Sequence, residues 1–314
     1  MTAGANASNH FADRLCFAIQ NKGNPVLVGL DPRTESLPAG LLHGEGFEQI
    51  AKAYATFCRG VIDVVAPLVA AVKPQAAFFE QLGPAGCTAL GEVIRYAASK
   101  GLLVIVDGKR NDIGTTAAAY AEAYLGPGDS SPWGGDALTV SPYLGDDSLT
   151  PFTEVAQKRG AGIFVLVKTS NPGGKTFQDL VVDGEPLYRR VAALVEGMSA
   201  ASAGEFGYGI AGAVAGATYP QQLGEIRQAM PHSLLLIPGY GAQGGTAKDC
   251  APAFDERGLG AIVNNSRGII FAYQKAEYKE RFGAGRWQEA IEAATRDMID
   301  QLAAETTAGR LRRS

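Results

Sequence analysis

Histidine is nearly missing from this chain: there are three in 314 residues, His10, His43 and His232, and none lies in a motif. That removes most metal-hydrolase sites and Ser-His-Asp schemes, which need imidazole as ligand or base. Cysteine is equally sparse. Cys16, Cys58, Cys87 and Cys250 are scattered, with no CxxC pair and no histidine at ligand spacing, so they read as reduced core thiols of a cytoplasmic protein. No apolar run approaches the length of a membrane span. Met1 to His10 lacks the basic stretch followed by an apolar stretch that marks a secretory signal. Neither sign of charge dominates: the net charge is -4 at pH 7 and the isoelectric point is near 5.5, which speaks against nucleic acid or an anionic membrane as partner. Internal repeats and long low-complexity linkers are absent as well.

What is abundant is apolar surface and glycine, with hydrophobic residues at 46% and 40 glycines. That composition suits a compact α/β protein with many tight strand-to-helix turns. Short apolar runs near Pro25–Asp31, Val69–Lys73, Leu102–Asp107, Ala137–Val140, Ile163–Lys168, Gly212–Ala217, Leu234–Pro238 and Ala261–Asn264 read as strands. Helical patterns fall between and after them, at Phe47–Val65, Cys87–Lys100, Ile113–Tyr124, Leu149–Lys158, Leu187–Ala203, Pro220–Met230, Thr246–Arg257 and Trp287–Ala304, with a leading helix near Phe11–Asn21. Eight alternating units without a compositional break predict a single-domain (β/α)₈ barrel in preference to an open doubly wound sheet. Residues 1–24 form an N-terminal arm and leading helix on this reading, 25–282 the catalytic barrel, and 283–314 a C-terminal helix and tail packed on it.

The third strand, Leu102-Leu103-Val104-Ile105-Val106, runs directly into Asp107-Gly108-Lys109-Arg110-Asn111-Asp112-Ile113-Gly114-Thr115-Thr116. Residues two apart in a strand point to one side, so Asp107 and Lys109 are expected to aim opposite charges into one place. An isolated D-x-K triplet is more often an exposed ion pair. Here, however, Asp31, Lys73, Asp107 and Lys109 all follow the C-terminal ends of the first three strands, the face on which barrels of this type build active sites. Ser170, Gln243 and Arg267 follow the fifth, seventh and eighth strands in the same way.

Two turns look suited to an anion. Ile237-Pro238-Gly239-Tyr240-Gly241-Ala242-Gln243-Gly244-Gly245 precedes a helix expected to start near Thr246, so backbone amides and a helix N-terminus converge there. Across the next turn, Asn264-Asn265-Ser266-Arg267-Gly268 supplies a guanidinium able to fork onto phosphate. The turns after strands seven and eight are the usual phosphate site of such barrels. Gly239 to Gly244 also spells G-x-G-x-x-G, but the following strand ends in Asn264-Asn265 where a dinucleotide fold needs an acid. Gly174-Lys175-Thr176 resembles the tail of a P-loop whose opening glycine is replaced by Thr169.

Taken in order, VGLD at Asp31, VK at Lys73, DGKRNDIGTT from Asp107, SNPG from Ser170, PGYGAQGG through Gln243 and NNSRG at Arg267 resemble the orotidine 5'-phosphate decarboxylase family, in its longer-chain bacterial branch. The resemblance implies cofactor-free, metal-free loss of CO₂ from C6 of orotidine 5'-phosphate to give UMP, the last step of pyrimidine synthesis. It implies a catalytic array of Lys73, Asp107, Lys109 and Asp112 in a homodimer with composite active sites, with Asp112, Ile113 and Thr116 donated by the other subunit. Asp31, Lys73 and Thr116 would hold ribose hydroxyls and Ser170 the pyrimidine. Gln243 would bridge ring and phosphate and Arg267 would pair with the phosphate, with Pro238 and Gly244 counted as substrate-binding in the same turn. Two alternatives share parts of this pattern: a Mg²⁺-dependent barrel acting on keto-sugar phosphates through an enediolate, and a non-catalytic phosphosugar-binding barrel.

Overall fold

The computed structural model describes residues 9–241, 244–283 and 285–312. Eight parallel strands close into a barrel: β1 (Val26–Leu30), β2 (Ala71–Pro74), β3 (Leu103–Arg110), β4 (Ala137–Val140), β5 (Gly162–Lys168), β6 (Ala211–Ala215), β7 (Leu235–Ile237) and β8 (Ala261–Asn265). Around the barrel each strand pairs with its sequence neighbours, and β8 returns to β1 with Val28 opposite Asn265. The strands are buried on both faces, as a parallel sheet wrapped by helices requires, which is why they read as continuous apolar runs in the sequence. The fold is the single-domain barrel expected from the alternation of elements.

The expected strands match the observed ones to within a few residues except at β3. That strand does not stop at Asp107 but continues to Arg110, which pairs with Val140 after a register shift relative to β4. Lys109 within the shift has φ 46, a left-handed conformation that a lysine adopts only when its surroundings impose it. A bulge of this kind re-aims side chains, so simple strand alternation is not what brings Asp107 and Lys109 together.

The helix expected over Thr246–Arg257 is much shorter. Four α-helical residues, Ala247–Cys250, pass into a 3₁₀ turn at Ala251–Ala253, where Pro252 has no N–H to continue the ladder. Helices at Ala76–Glu80 and Ala276–Phe282 add to those expected. The segment after β5 contains a 3₁₀ turn at Pro172–Gly174, a short helix at Lys175–Gln178 and an antiparallel pair, Val181–Val182 with Glu185–Pro186, turning through Asp183 and Gly184 at φ 53 and 84.

The helix Phe11–Lys22 lies across the N-terminal ends of the strands. Phe11 is 1% exposed and meets Phe164 of β5 edge-on at 6.0 Å. Arg14 donates to the Asp136 carboxylate at 2.5 Å and to the Gly160 carbonyl at 2.9 Å. The second Asp136 oxygen accepts from Val104 N at 2.8 Å, so one acid ties this helix to the starts of β3, β4 and β5. At the other end of the chain, Trp287–Glu305 packs along Phe47–Val65, with Trp287 5.5 Å from Phe57. Replacing Phe11 with Ala is expected to lower unfolding stability by about 3 kcal/mol or more, the usual loss for a buried phenylalanine, while leaving turnover per folded molecule unchanged. Urea unfolding measures the first and assay of the native protein the second; a loss below about 1 kcal/mol would show that the helix is not an essential closure.

Candidate active site

A cavity of about 290 Å³ opens at the C-terminal ends of the strands. Asp31, Lys73, Asp107, Lys109, Ser170, Pro238 and Arg267, all singled out in the sequence, line it together.

At its base the Asp107 carboxylate is saturated by donors. Lys73 Nζ donates to Oδ2 at 2.6 Å and Lys109 Nζ to Oδ1 at 2.5 Å. Gln75 Nε2 adds a bond to Oδ2 at 3.0 Å and Thr139 Oγ1 one to Oδ1 at 2.9 Å. Burial pushes the Asp107 carboxyl up, yet the charges of Lys73 and Lys109 and their hydrogen bonds together outweigh it and hold the group well below the usual carboxylate range. For Lys73, burial pulls the ammonium down, and the charges of Asp107 and then Asp31 more than compensate, leaving it above its ordinary value. Lys73 and Lys109 differ in access: their side chains are 5% and 48% exposed. The first is a fixed buried charge, the second a charge tethered by Asp107 and open to the cavity. The strained Lys109 backbone is held from the neighbouring strand, its N–H donating to Thr139 Oγ1 at 2.9 Å.

Above this array are groups of another kind. Among the described residues Asp31 Oδ1 and Asn264 Oδ1, both buried, have no hydrogen-bond partner, and both residues line the cavity. Orphaned acceptors at a cavity wall are suited to donors brought in by a ligand, such as hydroxyl groups. The turn after β7 is closed on itself: Gly241 N donates to Gly245 O at 2.8 Å and Gly245 N to Gly239 O at 3.1 Å, with Gly239 and Gly241 at φ 93 and 68. Side chains there would meet the left-handed penalty, so these glycines are required by conformation. Tyr240 in the same turn donates to Gln301 on the C-terminal helix. The helix beginning at Ala247 is one turn long, and two of the N–H groups at its start are taken by a capping box in which Thr246 N reaches Asp249 Oδ2 at 2.8 Å and Asp249 N reaches Thr246 Oγ1 at 3.3 Å. Arg267, exposed and without an ion pair among the described residues, is a cation lining this end of the cavity.

Four expected residues lie elsewhere. Asp112 is half-buried outside the cavity, its Oδ1 accepting from Ile113 N at 2.8 Å. Ile113 is 57% exposed and Thr116 is exposed. Gly244 lines an adjoining cavity that shares Tyr240, Asn265 and Arg267 with the first. Gln243 lies outside the described residues. Conversely, Gln75 and Thr139 are not among the residues expected from sequence, and Asn264 is expected there only as part of the turn that carries Arg267. Gln75 stands two residues beyond Lys73, and Thr139 is the one hydroxyl in Ala-Leu-Thr-Val of β4, both detectable as polar interruptions of apolar strands.

With this geometry in view, the sequence profile of the orotidine 5'-phosphate decarboxylase / HUMPS family matches residues 24–282. The chain belongs to this family. The orotidine 5'-phosphate decarboxylase of Rhodopirellula baltica is 57% identical over 297 residues, 93% of this chain and 98% of that protein. That of Deinococcus radiodurans is 43% identical over 263 residues, covering 83% and 89%. Among solved structures, the OMP decarboxylase of Leishmania donovani aligns with a TM-score of 0.72 at 32% identity, over 94% of this chain and 98% of its own. Among the described residues no helix is long and apolar enough to cross a membrane.

Burial alone lowers the Lys73 ammonium, and Asp107 supplies the largest compensating charge. In an Asp107→Asn protein the Lys73 value is therefore expected to drop below that of an ordinary lysine. NMR titration of Nζ measures this; a value that stays raised would assign the compensation to Asp31.

Proposed function

We propose that this protein decarboxylates orotidine 5'-phosphate to UMP. The observation that carries the reading is the Lys73–Asp107–Lys109 array in a cavity that also holds Ser170 and Arg267, in a chain whose relatives are named for that reaction.

The chemistry follows from charge. The bond from C6 to the carboxylate breaks, CO₂ leaves, and the electron pair stays on C6 with no adjacent carbonyl or imine to delocalise it. A preorganised cation beside C6 is the available stabiliser, and the half-exposed Lys109 ammonium is that cation. Its proton passes to C6, giving UMP, and solvent returns a proton to the amine. Asp107, kept anionic by its two lysines, faces the departing carboxylate and fixes Lys109 in place. Asp31 and Lys73 hold ribose hydroxyls, Ser170 the pyrimidine, and Arg267 the phosphate, with Gln243, Pro238 and Gly244 completing that end. Binding energy gathered at the phosphate, far from C6, is usable for closing the site around the reacting ring. No metal or organic cofactor takes part. Both Asp107 oxygens are occupied by ammonium groups, so Asp107 is not available as a ligand for a divalent ion.

Asp112, Ile113 and Thr116 sit beyond their own cavity on accessible surface. We place them in the active site of a second copy, making the working form a homodimer with shared sites. The four free cysteines suit the reducing cytoplasm.

Purified protein is expected to consume orotidine 5'-phosphate without added metal, followed by the fall in orotate absorbance. Lys109→Ala is expected to lower kcat by about 10³-fold or more, and Arg267→Ala to raise KM about 10- to 100-fold with a smaller change in kcat. Turnover abolished by a chelator and restored by Mg²⁺ would overturn the reading. Mixing inactive Lys109→Ala and Asp112→Ala chains is expected to regenerate activity, because one of the two hybrid sites is intact; a mixture that stays inert at subunit exchange would refute the shared site.

A further inference from the structure

Lys168 ends β5 and is 2% exposed, among the most buried large side chains of the molecule. It does not line the catalytic cavity, although Leu166, Thr169 and Ser170 on either side of it do. Its ammonium lies in the layer behind, 5.0 Å from the ring centre of Tyr219 and 5.5 Å from that of Tyr188. The carboxylate that neutralises it is Asp179. That acid belongs to the excursion after β5, and its side chain is 36% exposed. Next to it, Gln178 grips the start of the same excursion: its Oε1 accepts from Thr169 N at 3.0 Å and its Nε2 donates to Thr169 Oγ1 at 2.8 Å. Thr169 Oγ1 in turn donates to Asn171 Oδ1 at 2.6 Å. On the far side the turn rests on Gly216, where a Cβ would come within 2.9 Å of Ser170 Cα and Cβ.

These contacts have a direction. A buried ammonium with only aromatic faces beside it is poorly compensated, and lifting the excursion would leave it so. Docking of residues 172–186 is therefore favoured by a charge fixed in the barrel wall, and the docked excursion carries Gln178 to the turn that presents Ser170 and Asn171 to the cavity. We propose that Lys168, Asp179 and Gln178 are positioning residues that latch the excursion after β5 and thereby set Ser170 against the substrate's base. The inference rests on the decarboxylase reading for what Ser170 touches, and on the geometry alone for the latch.

Two measurements separate these. Tryptic cleavage at the exposed Lys175 reports docking with no substrate present. Asp179→Asn, at a partly exposed site, is expected to accelerate it about tenfold, and adding Lys168→Met is expected to slow it again, because no unpaired ammonium then remains. Turnover of orotidine 5'-phosphate reports positioning. Asp179→Asn and Gln178→Ala are each expected to lower kcat/KM about tenfold in the native protein, whereas Asp179→Asn placed on Ser170→Ala should change it less than about twofold, since both act through one contact. Unchanged cleavage refutes the latch. Faster cleavage with unchanged kcat/KM, or losses from Asp179→Asn and Ser170→Ala that multiply, refutes the positioning role. Absence of wild-type turnover refutes the decarboxylase reading, while the cleavage result still decides the latch.

Discussion

A carboxylate held between two ammonium groups organises this protein. Asp107 is 6% exposed, and a lone anion there would be neutralised by protonation or would destabilise the barrel. Lys73 and Lys109 keep it ionised, and Asp107 in turn allows Lys73 to remain charged in a position where burial opposes it. Each charge is tolerable only because the others are present. The result is a fixed alternation of charge at the barrel mouth, in place before any ligand arrives, which is the condition under which electrostatic stabilisation is strongest.

The rest of the architecture can be understood as support for that alternation. β2 and β3 carry its members, β4 supplies Thr139 to both the Asp107 side chain and the Lys109 backbone, and the bulge in β3 turns Lys109 toward the cavity. The opposite end of the barrel is closed by apolar packing and by the Arg14–Asp136 pair, which ties three strand starts to the leading helix. The apolar closure and the charged cavity thus lie at different ends, as is general for this fold. The excursion after β5 repeats the electrostatic logic one layer out, with Lys168 as the buried cation and Asp179 as its counterion.

Asp31, Lys73, Asp107, Lys109, Ser170, Pro238 and Arg267 could be placed on one face because each lies at or just after the C-terminal end of a strand, and strand order alone carries them to the same end of a barrel. Gln75 and Thr139 are not legible as site residues because a single amide or hydroxyl beside apolar strand residues is chemically unremarkable until its neighbours across the sheet are known. The helix expected over Thr246–Arg257 shortens to Ala247–Cys250 because Pro252, readable in the sequence, has no N–H to extend the ladder.

Periodicity and the residues ending each apolar run were by themselves enough to determine a closed eight-stranded barrel and the end at which its polar groups gather, since both depend on local alternation and chain order. Only the tertiary structure decided how those groups meet: the left-handed Lys109, the double clasp on Asp107, and the pairing of Lys168 with a carboxylate eleven positions on. These depend on register shifts and on burial, quantities set by strands and loops distant in sequence, and no local pattern encodes the energy of a charge whose partner arrives from another part of the chain.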